Sequence, residues 1–310
     1  MDNATEEIFY GDRGQSFKNI VTNVLKKSKI KSKYIKFLTS AENMERYKSV
    51  FTSASVDPCN NYEVYEQLGD ITANKFIVCY AYNRFPCLKN TEGVKIVARL
   101  RINYGARASF QKIGEDLKFW ELITATVEER SRKKKDLLED CFEAFIGCTE
   151  CILDEKFMPG VGYNIVYSIL ESIFNNIPMH LSYNKLYDAK TRLKELFDMN
   201  HTIIGSWKFI EEPRTKDDTT CISRVYQIPA GSPNKTPIVS TTYVNSEQRT
   251  KNSPRNDWVC IGEGISCKKS DAQQKAAQNA LNTLQNQGIK KEIQAQYLKF
   301  ENAPNQDSWN

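Results

Sequence analysis

Leu137-Leu138-Glu139-Asp140-Cys141-Phe142-Glu143-Ala144-Phe145-Ile146-Gly147 is the stretch on which the reading turns. On a helix of about 100° per residue, Leu137, Leu138, Cys141, Phe142 and Phe145 form an apolar face. Asp140 and Glu143 stand together on the opposite side, with Gly147 one turn further along. A glycine inside a good helix costs about 1 kcal/mol against alanine, so Gly147 marks a close approach by another chain or a ligand. A second segment, Tyr62-Glu63-Val64-Tyr65-Glu66-Gln67-Leu68-Gly69-Asp70-Ile71, reads the same way. Glu63, Glu66 and Asp70 fall within an arc of about 60°, while Val64, Leu68 and Ile71 fall on another face. Like charges at these spacings repel within a bare helix, so they ask for a cation. Hard oxygen ligands without His or Cys point to magnesium or manganese. A single such segment reads more simply as a solvated acidic face. Two of them, each giving two carboxylates, predict a four-acid cage for a divalent ion.

The rest of the chain is organised around these helices. Helical periodicity dominates from residue 15 to about 178, which predicts an all-α domain over residues 1–180. The pattern breaks at Pro178-Met179-His180-Leu181-Ser182-Tyr183-Asn184, giving a linker at 181–187. A second domain follows over 188–288: a helix over 189–199, strands over 203–211, 221–228 and 257–263, then an Ala-rich helix over 271–284. Its order is α-β-β-β-α. The Pro-, Ser- and Asn-rich segment at about 229–256 reads as a structureless, mobile insertion. Residues 289–310 read as a polar, disordered tail with a turn of helix near 293–298.

Composition narrows the function. No apolar run approaches the about 20 residues of a membrane-spanning helix. Two histidines, His180 and His201, are too few for zinc-hydrolase or His-based triad chemistry. Nine cysteines and no export signal in the acidic, polar N-terminus read as reduced thiols in an intracellular protein, cytoplasmic or nuclear. Between Lys185 and Lys290 sixteen basic residues face eleven acidic ones, which accounts for the whole of the chain's net charge of +5. A basic module beside a neutral one suits an anionic polymer held by the first and processed by the second.

The two acid segments closely resemble the signature helices of the ribonuclease III family, whose pattern is roughly Asn-Glu-x-x-Glu-Phe-Leu-Gly-Asp and Asp-x-x-Glu-Ala-x-Ile-Gly. The resemblance extends to Arg84-Phe85-Pro86 between them. It also takes in Asp188-Ala189-Lys190-Thr191-Arg192-Leu193-Lys194-Glu195-Leu196, which is similar to the opening helix of a double-stranded-RNA-binding domain. It covers residues about 15 to 287. What it implies is an all-α endonuclease domain followed by a small α+β RNA-binding domain, acting on double-stranded RNA with Mg2+ or Mn2+ and leaving 5′ phosphate and 3′ hydroxyl ends. Glu66, Asp70, Asp140 and Glu143 match the family's metal-binding positions, and Glu63 an additional acid near the scissile phosphate. Thr191, Lys194, Glu195, Lys268, Lys269 and Lys275 match RNA-contacting positions. The family's homodimer is expected too, although Gln67 stands where the family seats an aromatic in its partner. The alternative is an idle relative that sequesters or scaffolds double-stranded RNA; retention of all four acids argues for the active enzyme.

Other signals are weaker. The first inter-strand loop, over 212–217, keeps a proline but lacks the family's histidine. Arg130-Ser131-Arg132-Lys133-Lys134-Lys135 reads as a grip on phosphates, a nuclear-localisation patch or a solvated loop. Cys148 and Cys151 have CxxC spacing without a second pair and read as helix-borne thiols. Gly262-Glu263-Gly264 reads as the end of a strand rather than a phosphate loop.

Overall fold

The computed structural model describes residues 6–212, 220–233, 235–244, 247–293 and 295–301. It divides into two compact units, one ending at His180 and the other running from Leu181 to Glu301.

The first unit is helical: α1 (Gln15–Lys27), α2 (Ser32–Leu38), α3 (Ala41–Val50), α4 (Glu63–Arg84), α5 (Thr91–Tyr104), α6 (Arg107–Asp116), α7 (Val127–Arg132), α8 (Lys134–Lys156) and α9 (Val161–Phe174). Local chemistry sets several ends. Ser40 and Asn90 cap α3 and α5 by accepting from the amides of Asn43 and Gly93. Pro86 ends α4, because the residue before a proline is driven out of the helical region. Helix α8 runs through the middle of the unit. Its apolar face is buried as the spacing predicts, with Phe142 and Phe145 against Phe110, Tyr47 and Phe119.

The start of the chain is clasped to this core. Strand β1 (Ile8–Phe9) pairs antiparallel with β2 (Ala125–Thr126). The Gly11 amide donates to Thr124 Oγ1 at 3.0 Å. The Arg13 guanidinium donates to the carbonyls of Phe51, at 3.0 Å, and of Leu122.

The second unit comprises α10 (Tyr183–Leu186), α11 (Ala189–Ile204), β3 (Ser206–Glu211), β4 (Cys221–Ile228), β5 (Ile238–Val244), β6 (Glu247–Ser253), β7 (Val259–Ser266), α12 (Lys269–Asn286) and α13 (Ala295–Glu301). Strands β3, β4 and β7 form one antiparallel sheet in that order, with Ser206 opposite Ile228 and Cys221 opposite Ser266. Helix α12 lies on β7 at backbone distance. A side chain on Gly262 or Gly264 would strike the carbonyls of Ala276 or Ala272, and Ala272, Ala276 and Ala280 form the facing stripe. The pair of glycines is thus a docking strip for a helix. The core above the sheet is Leu193, Leu196, Phe197, Val225, Ile261, Ala277 and Leu284.

Three expectations change here. The segment at about 229–256 is not structureless: β5 and β6 pair antiparallel, Ile238 opposite Ser253 through Val244 opposite Glu247. The β-branched run Ile238-Val239-Ser240-Thr241-Thr242-Tyr243-Val244 suits a pleated strand, and its proline-rich flanks disguised it. The span at 181–187 is not a bare linker, since α10 fills it and buries Tyr183 and Leu186. Helix α13 extends the short turn expected near 293–298, and it buries Tyr297 and Phe300. The rest of the expected tail, 302–310, and most of the loop at 212–217 lie outside the described residues. Among those residues no helix is long and apolar enough to cross a membrane.

Candidate active site

Helices α4 and α8 meet where neither has a side chain. A Cβ on Gly147 would lie 2.1 Å from the Tyr65 carbonyl oxygen, and one on Gly69 would be closer still to that of Glu143. The close approach marked by Gly147 is therefore made by α4 of the same chain. This contact of backbones sets Glu66 of α4 beside Asp140 and Glu143 of α8. One carboxylate oxygen from each of the three lies within 4.8 Å of the other two.

Burial first, and then the charges of neighbouring carboxylates, push all three carboxyls up. Glu143, 6% exposed, rises to about 9, through burial first and then the charges of Asp70, Glu139, Glu66 and Asp140. Glu66 rises to about 7, through burial and then Asp140 and Glu63. Asp140 rises to about 6 by burial, opposed by a hydrogen bond with the Tyr62 hydroxyl. The nearby guanidinium of Arg107 is engaged by Asp136 at 2.6 Å and Glu139 at 2.5 Å. Three half-buried to buried oxygen donors with raised carboxyls are a set that could hold a small divalent cation. The donor set fits magnesium or manganese, and contains no soft ligand.

Of the five predicted acids the structure gathers these three. Asp70 lies exposed one turn along α4, where its Oδ1 accepts from Asn74 Nδ2 at 2.7 Å, though its charge still acts on Glu143. Glu63 opens α4, exposed, and acts on Glu66 by charge alone. Sequence reasoning missed Tyr62, Asn74, Arg107 and Glu139. Tyr62 and Asn74 flank the first acid segment and Glu139 adjoins Asp140, so their positions were on view; Arg107 carried no signal, being brought in by α6 from far along the chain.

In the second unit, Lys194, Lys268 and Lys275 are exposed. Asp188 caps α11, its carboxylate accepting from the Thr191 amide and from the Thr191 hydroxyl, each at 2.9 Å. Lys269 pairs with Glu211 at 2.6 Å. The Glu195 carboxylate accepts from the Tyr183 hydroxyl and from Lys291 Nζ, the latter at 2.5 Å.

The basic run 130–135 is largely engaged within its own unit. Arg130 lies between the rings of Phe9 and Trp120, 3.9 Å from each centroid, and donates to the Ile123 carbonyl at 2.5 Å. Arg132, Lys133 and Lys134 pair with Glu128, Glu129 and Glu115. A phosphate grip by this run would have to break those contacts. All nine cysteines are free, with Cys148 buried in α8 and Cys151 partly so.

No protein-family model matches the chain. Sequence comparison does find relatives. A protein of Invertebrate iridescent virus 6 named as a ribonuclease 3 is 39% identical over 289 residues, covering 89% of this chain and 90% of the relative. One of Frog virus 3 bearing the same name is 40% identical over 185 residues, covering 59% of this chain and 49% of the relative. Among solved structures, the nuclease domain of ribonuclease III from Campylobacter jejuni is 25% identical, covering 48% of this chain and 99% of that one at a TM-score of 0.38.

Proposed function

The chain belongs to the ribonuclease III family, and we propose that it is a metal-dependent endonuclease whose first unit cuts double-stranded RNA to leave 5′ phosphate and 3′ hydroxyl ends. The observation that carries this reading is the convergence of Glu66, Asp140 and Glu143 at the glycine crossing of α4 and α8. These three would hold Mg2+ or Mn2+, with Asp70 as the fourth acid and Glu63 nearest the phosphate. When bound, the ion supplies Lewis-acid polarisation of a phosphoryl oxygen and a more acidic attacking water. The protein's own part is orientation. The Tyr62 hydroxyl holds Asp140, Asn74 holds Asp70, and the touching backbones fix the spacing between Glu66 and Glu143. Glu143, whose carboxyl is pushed up to about 9 by burial, would have to lose its proton to ligate a cation.

The second unit, with the α+β topology of a double-stranded-RNA-binding domain, supplies the grip in this proposal. Lys194 and Lys268 face solvent and suit phosphate contacts along an A-form duplex; Lys275 is exposed too, with its Nζ donating to the Ile265 carbonyl at 2.9 Å, and the Thr191 hydroxyl, which donates to Asp188, could accept from a 2′-hydroxyl. Glu195 and Lys269 would join only after leaving their present partners. The working form in this reading is a homodimer, since one such site cuts one strand and a two-fold pair cuts both. Supporting it, Val64, Leu68 and Ile71 form an exposed apolar stripe on α4, at 70%, 43% and 67% exposure. The test is incubation of the purified protein with long duplex RNA, with magnesium or with chelator. Short duplex products that appear only with magnesium are expected; intact RNA in both would leave a binding protein and overturn the proposal.

A further inference from the structure

A second polar site lies away from the acid cluster, inside the second unit. Helices α11 and α12, together with α10 and the segment that follows Gly288, line a half-open cleft of about 440 Å³, within the range of small-ligand sites. Among the described residues no carboxylate lines it, the nearby Glu195 being held by the lining residues Tyr183 and Lys291. Arg192 does, and its guanidinium is held by two neutral acceptors, Asn184 Oδ1 at 3.1 Å and Gln278 Oε1 at 2.6 Å. Its Nε is buried and has no hydrogen-bond partner among the described residues. Burial of the guanidinium outweighs the opposing charge of Asp188, so its lost hydration is only partly offset and an anion in the cavity would be favoured. Lys290 on the cavity wall adds a second positive charge, and Leu196 and Leu281 supply an apolar floor.

We propose that this cavity binds a small phosphomonoester carrying a flat or apolar group, of nucleoside-monophosphate size. Each terminal nitrogen of Arg192 keeps a second N–H beyond the one given to Asn184 or Gln278, and these would donate to the phosphate. Lys290 adds charge from the rim, and the leucine floor takes the base. The site is independent of the metal centre, since it uses no acid and no residue of the first unit.

The test is calorimetric titration of the full chain with adenosine monophosphate, adenosine and inorganic phosphate, each with magnesium and with chelator. Binding of the monophosphate is expected to be unaffected by chelator and to exceed that of adenosine by at least about tenfold, with inorganic phosphate competing. Arg192→Gln should lower it by a further factor of about ten, and Lys290→Gln, an exposed change that cannot disturb folding, by about threefold. Equal binding of adenosine, loss of binding in chelator, or unchanged affinity in both variants would each overturn the proposal.

Discussion

The carbonyl oxygen of Glu143 stands where a side chain on Gly69 would begin: a Cβ there would lie 1.8 Å from it. Gly69→Ala should therefore be strongly destabilising, although alanine is the better helix former by about 1 kcal/mol. Forced separation of packed backbones costs about 1–3 kcal/mol or more, and it would also part Glu66 from Glu143. Chemical denaturation and magnesium titration of the variant should show lower stability and weaker metal binding together. A variant as stable as the parent would mean that the crossing is looser than its geometry.

Glu143→Gln should abolish cleavage and leave duplex binding within about a factor of two, because the amide keeps the shape and loses the ligating charge. Gel-shift and cleavage assays on the same preparation check both halves. Turnover at the parent's rate would remove Glu143 from the metal set.

Acidity offers an independent check. Glu143, Glu66 and Asp140 are raised to about 9, about 7 and about 6 from ordinary values of 4.5, 4.5 and 3.8. Between the ordinary and raised values the folded chain holds more protons than the unfolded one, so stability from these groups falls as pH rises. In chelator, the melting temperature should decline between about pH 5 and about pH 9 by more than that of Glu143→Gln. Magnesium needs the deprotonated carboxylates, so its stabilising shift should grow over the same interval. A magnesium shift independent of pH would contradict the site.

The exposed stripe on α4 predicts assembly. Leu68→Asp or Ile71→Asp should move the protein from dimer to monomer in sedimentation at micromolar concentration, since a buried charge without a partner opposes association. Gln67→Phe should associate as tightly or more so. A parent that sediments as a strict monomer yet cuts both strands in one encounter would refute the two-fold arrangement.

Lys268→Ala with Lys275→Ala should weaken duplex binding at every sequence tested. Two lost phosphate contacts should also flatten the slope of log affinity against log salt by roughly 1.5. Measured slopes that do not change would place RNA elsewhere.

Much of this was legible in the sequence because helical spacing alone puts Asp140 and Glu143 on one side of a helix and Phe142 and Phe145 on the other. The sheet strand at Cys221–Ile228 was equally plain in extent, although its burial departs from apolar alternation at Ile222, half-buried, and Ser223, fully buried. What spacing could not show is which face meets which. Val64, Leu68 and Ile71 look like any apolar face, yet they point to solvent. Asp70 looks equivalent to Glu66, yet Asn74 holds it outside the cluster. The hairpin of β5 and β6 was hidden for another reason: its proline-rich flanks read as loop, and the polar run of β6 carries no apolar alternation for a scan of single segments to catch.

The clasp at the start of the chain bears on how the first unit is born. Gly11 and Arg13 find their partners at Thr124 and Leu122, more than a hundred residues downstream. While the polypeptide is still emerging from the ribosome, its opening segment has only the Phe51 end of α3 to hold, through Arg13, until those residues are free. Closure of so long a loop is entropically slow, and it comes late. The nuclease unit thus cannot mature progressively from its amino end; it must wait for a span of sequence that immediately precedes the second acid helix, so the clasp and the site are completed in the same late stage of synthesis.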